Sequence, residues 1–155
     1  MTSPMKFSVQ PIGWVKSAVA EGRDDGWGDV TSELRIDERF ADGLQGLEHF
    51  SHLLVVFWMH QSSFDAAADL VRRPRGRRDM PEIGIFAQRA KHRPNPIGIT
   101  AVRLLERRGN ILIVQGLDAI DGSPILDIKP YFAAFDRVEN LTTPEWVPLL
   151  MQDYF

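Results

Sequence analysis

The sequence contains no cysteine and no long hydrophobic run, and both absences narrow what the protein can be. Without cysteine there are no disulfides, no thiolate zinc ligands and no cysteine nucleophile. The longest unbroken apolar run, residues 53–59, is too short to span a bilayer, and the first ten residues lack the pattern of a signal peptide. The sequence therefore predicts a cytoplasmic protein without a membrane segment.

Three common motifs of enzyme sites are also missing. There is no GxGxxG, no GxxxxGK followed by Ser or Thr, and no GxSxG, so a Rossmann dinucleotide site, a P-loop and a hydrolase nucleophile elbow have no sequence basis. His49 and His52 are three residues apart, and His60 lies further along the chain. No residue at a convincing spacing completes a set of three metal ligands. We predict that the protein binds no metal.

Helical patterns are scarce, and short strands dominate the sequence. Helical spacing is confined to residues 64–73 and 143–155, and Pro148 weakens the second pattern. Runs typical of strands cover residues 7–15, 30–36, 52–59, 82–87, 97–105, 111–117 and 124–131. We predict a mainly β protein: one domain over residues 1–155, built as a small closed or nearly closed barrel of antiparallel or mixed strands, with one or two short helices.

Basic residues are concentrated in one segment of an otherwise acidic chain. The net charge is −3, but residues 72–93 hold eight basic and two acidic side chains. The rest of the chain holds ten basic and nineteen acidic side chains. The segment is a candidate site for a polyanion such as a phosphate backbone, and a solvated loop with arginines for solubility is the alternative.

Two polar stretches interrupt the apolar runs. Residues 92–98, HRPNPIG, form a rigid polar turn, and residues 116–131 read GLDAIDGSPILDIKPY. Strand periodicity in the second stretch places Ile125, Asp127, Lys129 and Tyr131 on one face. Such a face suits catalysis, but Asp127 and Lys129 could equally form a surface ion pair. The Asp-Gly-Ser-Pro at residues 121–124 is a strong turn signal and, taken alone, favours a plain connection.

Three stretches together resemble the TrmO-type, TsaA-like family of S-adenosylmethionine-dependent tRNA methyltransferases. They are GLEHFSHLLVVFWMHQ, IGIFAQRAKHRPNPIGITAVRLL and GLDAIDGSPILDIKPY, and the resemblance covers about residues 8–135. It implies a β-barrel methyltransferase, unlike the Rossmann type, that works as a homodimer with the cofactor near the subunit interface. It also implies methylation of N6 of threonylcarbamoyladenosine at position 37 of tRNA, beside the anticodon.

The resemblance also implies site residues at the matching positions. Asp127 is the candidate for orienting or accepting the proton of the acceptor nitrogen, and Lys129 and Tyr131 for stabilising charge or orienting that base. Arg89 is the candidate partner of the cofactor carboxylate. The expected S-adenosylmethionine-binding residues are Trp27, His60, Gln61, Phe86, Arg89, Pro94, Asn95, Pro96, Ile97, Gly98, Leu117, Asp118, Asp121, Gly122, Ser123 and Pro124. The expected contacts to tRNA phosphates are Arg72, Arg73, Arg75, Arg77, Arg78, His92 and Arg93.

Two departures from the family leave the substrate open. Residues 23–30, RDDGWGDV, stand where the tRNA-modifying members have a Pro-Arg-Gln type segment, and we expect Trp27 to stack on the cofactor instead. We also expect the second, C-terminal domain of longer relatives to be absent. Two alternatives therefore stay open: a methyltransferase acting on another RNA or a small molecule, and a non-catalytic S-adenosylmethionine-binding module. Apolar residues near the end of the chain indicate a dimer surface: Trp146, Leu149, Leu150, Tyr154 and Phe155.

Overall fold

Six antiparallel strands close into a barrel in the computed structural model, which describes residues 3–155. The barrel strands are β1 Gly13–Lys16, β2 Thr31–Ile36, β3 His52–Trp58, β6 Ile97–Arg108, β7 Ile111–Gln115 and β8 Pro124–Pro130. A separate two-stranded sheet consists of β4 Val71–Arg72 and β5 Ile83–Gly84. The order of the strands around the barrel is β1-β2-β7-β6-β3-β8. The predicted barrel is confirmed, and all its pairings are antiparallel.

Alternating side chains fill the barrel interior. On β3, for example, Leu53, Val55 and Phe57 are buried, while the residues between them face outward. Closure of the barrel pairs the first strand with the last through Gly13 opposite Ile125 and Trp14 opposite Pro124. Closure leaves no free edge, which the many short strands of the sequence would otherwise expose.

The helices are shorter than the sequence patterns predicted. They are α1 Ala66–Asp69, α2 Ala133–Asp136 and α3 Trp146–Met151, and 3-10 turns cover Glu38–Leu44, Leu47–His49, Pro74–Gly76 and Ile85–Ala87. The prediction of a helix over 64–73 is wrong in its second half, because Val71–Arg72 pairs with Ile83–Gly84 instead. Pro148 is tolerated in α3 because it lies in the first turn, where a backbone N–H has no helical acceptor.

Two predicted strands are shorter than expected. The strand predicted over 7–15 begins only at Gly13, and Phe7 and Val9 before it are 84% and 60% exposed. The strand predicted over 82–87 ends at Gly84, where a 3-10 turn begins. Alternation of apolar residues alone cannot say where strand pairing begins or ends, and here the paired residues begin at Gly13 and end at Gly84.

A bulge in β8 corrects the predicted face of that strand. Ile125 pairs with Phe57 and Asp127 with Val56, so Leu126 is an extra residue that no β3 residue opposes. The bulge shifts the alternation by one residue: Ile125 is buried in the barrel interior, while Asp127 and Lys129 face outward beside Val56 and Leu54. The prediction that Ile125 shares a face with Asp127 and Lys129 is therefore wrong.

Within residues 3–155, no helix has both the length and the apolar character that crossing a bilayer requires.

Candidate functional site

Most of the predicted cofactor-binding residues lie at one end of the barrel. In an antiparallel barrel, β3 and β7 end where β6 and β8 begin, so the segments 17–30, 59–96 and 116–123 meet there. We call these three segments together the loop end. Backbone bonds tie them: Met59 N–H donates to the Pro96 carbonyl (2.7 Å), and Asp121 N–H donates to the Val19 carbonyl (2.8 Å). Gly122 also lies beside the His60 imidazole.

The RPNPIG turn is anchored at its end and open in its middle. Ile97 N–H donates to the Asn95 carbonyl (2.7 Å), which tightens the turn into β6, while the side chains of Pro94 and Asn95 are exposed. Gly98 has a packing role, because a Cβ there would lie 2.4 Å from the Phe57 ring. The turn thus holds a rigid backbone against the barrel and presents Pro94 and Asn95 to a ligand.

The two arginines flanking this turn have different partners. Arg93 donates to the carbonyls of Gln88 (2.9 Å) and Ala90 (3.1 Å). The guanidinium that we predicted to contact RNA therefore stabilises its own loop. Arg89 is exposed and donates through one nitrogen to the Ile99 carbonyl. Among residues 3–155, its remaining N–H groups have no hydrogen-bond partner, so they can bind a carboxylate. Phe86, also predicted to touch the cofactor, is 78% exposed.

Gln88 is a structural residue that the sequence did not reveal. It is 6% exposed, and its Nε2 donates to the carbonyls of Arg72 (2.9 Å) and Ile83 (3.0 Å). One amide therefore joins both strands of the small sheet to the segment before Arg89. A glutamine in a polar segment gives no signal of such burial.

Asp118 receives hydrogen bonds from two other parts of the chain. The hydroxyl of buried Thr100, in β6, donates to its Oδ1, and the hydroxyl of Tyr154 donates to its Oδ2. Burial, followed by the negative charge of Asp118 and this hydrogen bond, raises the pKa of Tyr154 well above its usual range. The sequence analysis did not include Thr100 in the site, and it placed Tyr154 only in a dimer surface. Both residues are distant from Asp118 in the sequence, and only the fold brings them into contact with it.

Trp27 is not a free stacking surface. The side chain is 2% exposed, its Nε1 donates to the Arg23 carbonyl (3.0 Å), and the Arg23 guanidinium lies 5.0 Å from the ring centroid. The Trp27 ring therefore has no exposed face on which a cofactor can stack in this conformation.

The Asp-Gly-Ser-Pro turn is held by its own side chains. Asp121 Oδ1 accepts from Ser17 N–H (2.9 Å), and this bond, with Lys16 at 3.7 Å, lowers the pKa of the Asp121 carboxyl. The Ser123 hydroxyl is buried and donates to the Ile120 carbonyl (2.7 Å), and Gly122 has φ 80°. Leu117 is fully buried in the core. These residues shape the wall of the loop end more than they face a ligand, whereas His60 and Gln61 are exposed there.

The three predicted catalytic residues lie on β8 and directly after it, outside the three segments of the loop end. The Lys129 ammonium lies 2.9 Å from Asp127 Oδ2 on the outer surface, with both side chains about half exposed. The hydrogen bond from Lys129 to Asp127 raises the pKa of the lysine. Asp127 Oδ1 also accepts from Ile128 N–H (2.9 Å). Because β8 runs away from the loop end, Tyr131 lies beyond the opposite end of the strand, where its N–H donates to the His52 carbonyl (3.1 Å).

The basic segment is partly neutralised by carboxylates. Ion pairs join Arg72 to Asp69 (3.2 Å), Arg75 to Asp24 (3.6 Å) and Arg77 to Asp79 (2.6 Å). Within residues 3–155, Arg78 has no carboxylate oxygen inside 4.0 Å. Two further residues predicted to bind RNA have backbone partners: Arg73 donates to the Met80 carbonyl, and His92 Nδ1 lies 2.8 Å from the Ser63 carbonyl.

The part of the chain that the structure describes, residues 3–155, contains no group of three His, Cys, Asp or Glu side chains arranged to hold a metal ion.

Comparisons with known proteins match most of the chain. The family profile described as the tRNA-methyltransferase O N-terminal domain matches residues 23–137. A probable S-adenosyl-L-methionine-binding protein of Pyrococcus abyssi is 38% identical over 146 residues, which cover 91% of this chain and 77% of that protein. The human tRNA (adenine(37)-N6)-methyltransferase is 37% identical over 115 residues, which cover 72% of this chain and 26% of the human protein.

A solved structure has the same barrel. The crystal structure of TrmO from Pseudomonas aeruginosa superposes with a TM-score of 0.76 at 32% identity, over 94% of this chain and 63% of that one. The chain described above therefore spans less than two thirds of this solved relative.

Proposed function

The chain belongs to the tRNA-methyltransferase O N-terminal domain family, and on this premise we propose that it is an S-adenosylmethionine-dependent methyltransferase acting on N6 of adenosine 37 in tRNA. The favoured acceptor is threonylcarbamoyladenosine. The observation that carries the proposal is the loop end, where three distant segments meet on a rigid barrel and place exposed His60, Gln61 and Arg89 near the fixed carboxylate of Asp118. The name of the human relative, tRNA (adenine(37)-N6)-methyltransferase, supports the same reaction.

The residues of the loop end fit this cofactor. Arg89 is exposed with unused N–H donors for the carboxylate of an amino-acid tail. Asp118 offers a fixed carboxylate, and the rigid turn at Pro94 and Asn95 offers backbone groups and flat apolar surface for an adenine. The cofactor supplies a methyl group on a sulfonium, and the protein's task is to hold acceptor and donor in line.

Methylation of N6 breaks the bond between sulfur and methyl carbon, forms a nitrogen–carbon bond and releases the N6 proton. Asp127 is the proposed acceptor of that proton, because its carboxylate is accessible and its pair with Lys129 holds it in place. Lys129 then balances the charge near the acceptor, and Tyr131 completes the polar row. The tRNA phosphates would meet the basic segment, in which Arg78 has no carboxylate partner among residues 3–155.

We propose that the active protein is a homodimer, because Asp127 lies on the outer face of β8, outside the segments of the loop end, and beside an exposed apolar surface. The outer barrel face beside Asp127 carries apolar cross-strand pairs, Trp58 opposite Ile97 and Val56 opposite Ile99. Ile97 and Ile99 are 43% and 45% exposed, a surface that a second copy would bury. Sedimentation should show a dimer at micromolar concentration and a monomer for Ile99→Glu. A wild-type monomer would contradict this assembly.

The surface near the end of the chain is a weaker dimer candidate than the sequence suggested. Of the five residues predicted to form it, Leu150 is buried against its own chain and Trp146 and Tyr154 are half-buried, while Leu149 and Phe155 are 58% and 65% exposed. The proposed interface is therefore the outer strand face.

The cofactor half of the proposal is tested by calorimetric titration of S-adenosylmethionine into the wild type and Arg89→Ala. The expected result is saturable binding to the wild type and a loss of at least tenfold in affinity in the variant, since a charged hydrogen bond is removed. Arg108→Ala is the matched control, because Arg108 is an exposed arginine at the opposite end of β6. Equal affinities for all three proteins would refute the assignment of Arg89.

The acceptor half separates the remaining alternatives. Methyl transfer to another RNA or to a small molecule, with none to tRNA, would favour the broader methyltransferase. Cofactor binding without transfer to any acceptor would favour the non-catalytic binding module.

A further inference from the structure

The last three residues described, 153–155, pack onto the loop end from outside the segment that matches the family profile. Gly26 N–H donates to the Asp153 carbonyl and Trp27 N–H to the Tyr154 carbonyl, both at 2.8 Å. Two successive backbone bonds therefore dock this segment along residues 26–27. We call residues 153–155 the clasp.

The clasp places one side chain on the proposed cofactor site. The Tyr154 hydroxyl donates to Asp118 Oδ2, while the Thr100 hydroxyl holds Oδ1 of the same carboxylate. A carboxylate with a donor on each oxygen has a fixed plane and a fixed direction for its remaining lone pairs. The Tyr154 pKa, raised by burial and by the nearby carboxylate, keeps the phenol protonated and able to donate.

The contacts around the clasp are close and include unusual backbone conformations. Among residues 3–155, three non-glycine residues have positive φ, and two of them lie here: Arg75 at 54° and Asp153 at 63°. The Arg75 guanidinium lies 5.8 Å from the Tyr154 ring centroid and 3.6 Å from Asp24. Strained backbone persists where surrounding contacts over-determine it, and such positions concentrate at functional sites.

We infer that Tyr154 is a positioning residue of the cofactor site, fixing the Asp118 carboxylate through its hydroxyl so that this carboxylate accepts hydrogen bonds from the nucleoside part of the cofactor. The inference rests on the proposed function. It assigns a role in that function to residues outside 23–137, the part of the chain that the family profile matches.

Two substitutions perturb the clasp by different routes. Tyr154→Phe removes only the hydroxyl and keeps the ring beside Arg75 and Phe155. Gly28→Ala touches no polar side chain, but its Cβ would lie 2.5 Å from the backbone carbonyl carbon of Phe155 and would push the clasp away. Gly43→Ala is the matched control, since a Cβ there meets nothing within 4 Å.

The experiment measures the affinity for S-adenosylmethionine by calorimetry, and KM and kcat by methyl transfer, for the wild type and these variants. Tyr154→Phe and Gly28→Ala are each expected to weaken binding and raise the cofactor KM about tenfold, with kcat at saturating cofactor within about twofold of the wild type. Gly43→Ala should match the wild type in all three quantities.

A double-mutant cycle separates positioning from a merely structural effect. If Tyr154 acts through Asp118, Tyr154→Phe should have no further effect on affinity in the Asp118→Asn background. Additive effects, or an affinity of Tyr154→Phe within about twofold of the wild type, would overturn the inference and leave the proposed function intact. A wild type that binds no S-adenosylmethionine would instead overturn the proposed function and the inference with it.

Discussion

Replacing Gly98 by alanine should destabilise the protein through the core and not through the cofactor site. An added Cβ would lie 2.4, 2.7 and 2.8 Å from three atoms of the Phe57 ring, whereas ordinary contacts begin near 3.4 Å. The ring would have to retreat by about 1 Å, yet Phe57 is 3% exposed and its neighbours fill the barrel. Overpacking of this kind costs about 1–3 kcal/mol of unfolding free energy.

Urea unfolding and thermal melting would measure this cost. For a chain of this size a loss of about 2 kcal/mol lowers the melting temperature by roughly 4–8 °C. Gly43→Ala should be neutral or stabilising by up to about 1 kcal/mol, because its Cβ meets open space. Phe57→Leu should relieve the clash, so the double variant should lose less than the sum of the single losses. A Gly98→Ala protein as stable as the wild type would refute the reasoning.

Three further predictions concern chemistry, RNA and pH. Asp127→Asn should lower methyl transfer at least about 100-fold and leave the calorimetric affinity for S-adenosylmethionine unchanged; full activity would exclude Asp127 as the base. Arg78→Glu should weaken tRNA binding several-fold and reduce its salt dependence by about one ion. Arg108→Glu, at the end of β6 that is remote from the loop end, should change neither quantity. Equal effects of the two substitutions in a filter-binding assay would count against RNA binding by the basic segment. Because the folded pKa of Tyr154 is raised above its ordinary 10.0, the stability it contributes is present below pH 10 and is lost as the pH rises further. Above pH 10 the melting temperature should therefore decrease less steeply with pH for Tyr154→Phe than for the wild type. An equal decrease in both proteins would contradict this.

The barrel was predictable because its determinants are local. Residues 30–36, 52–59 and 124–131 carry β-branched and apolar runs, and the observed strands match them within two residues at either end. The end of the helix predicted over 64–73 was not predictable, since residues 71–72 pair with residues 83–84 in a small sheet. In a segment this short, pairing with a distant strand outweighs the local helical propensity.

The site was predictable as a set of segments and not as a set of contacts. The three stretches of the resemblance do meet at the loop end, as the antiparallel topology requires. The bulge at Leu126, the burial of Trp27 and the bond from Tyr154 to Asp118 depend on packing between distant residues. No spacing rule in a single sequence carries that information.

The most direct test of the account is methyl transfer from labelled S-adenosylmethionine by the purified protein to tRNA that carries threonylcarbamoyladenosine, followed by nucleoside mass spectrometry. We expect one added methyl group on N6 of position 37 and none on the same tRNA with guanosine there. A protein that binds the cofactor yet leaves position 37 unmethylated would refute the proposed function.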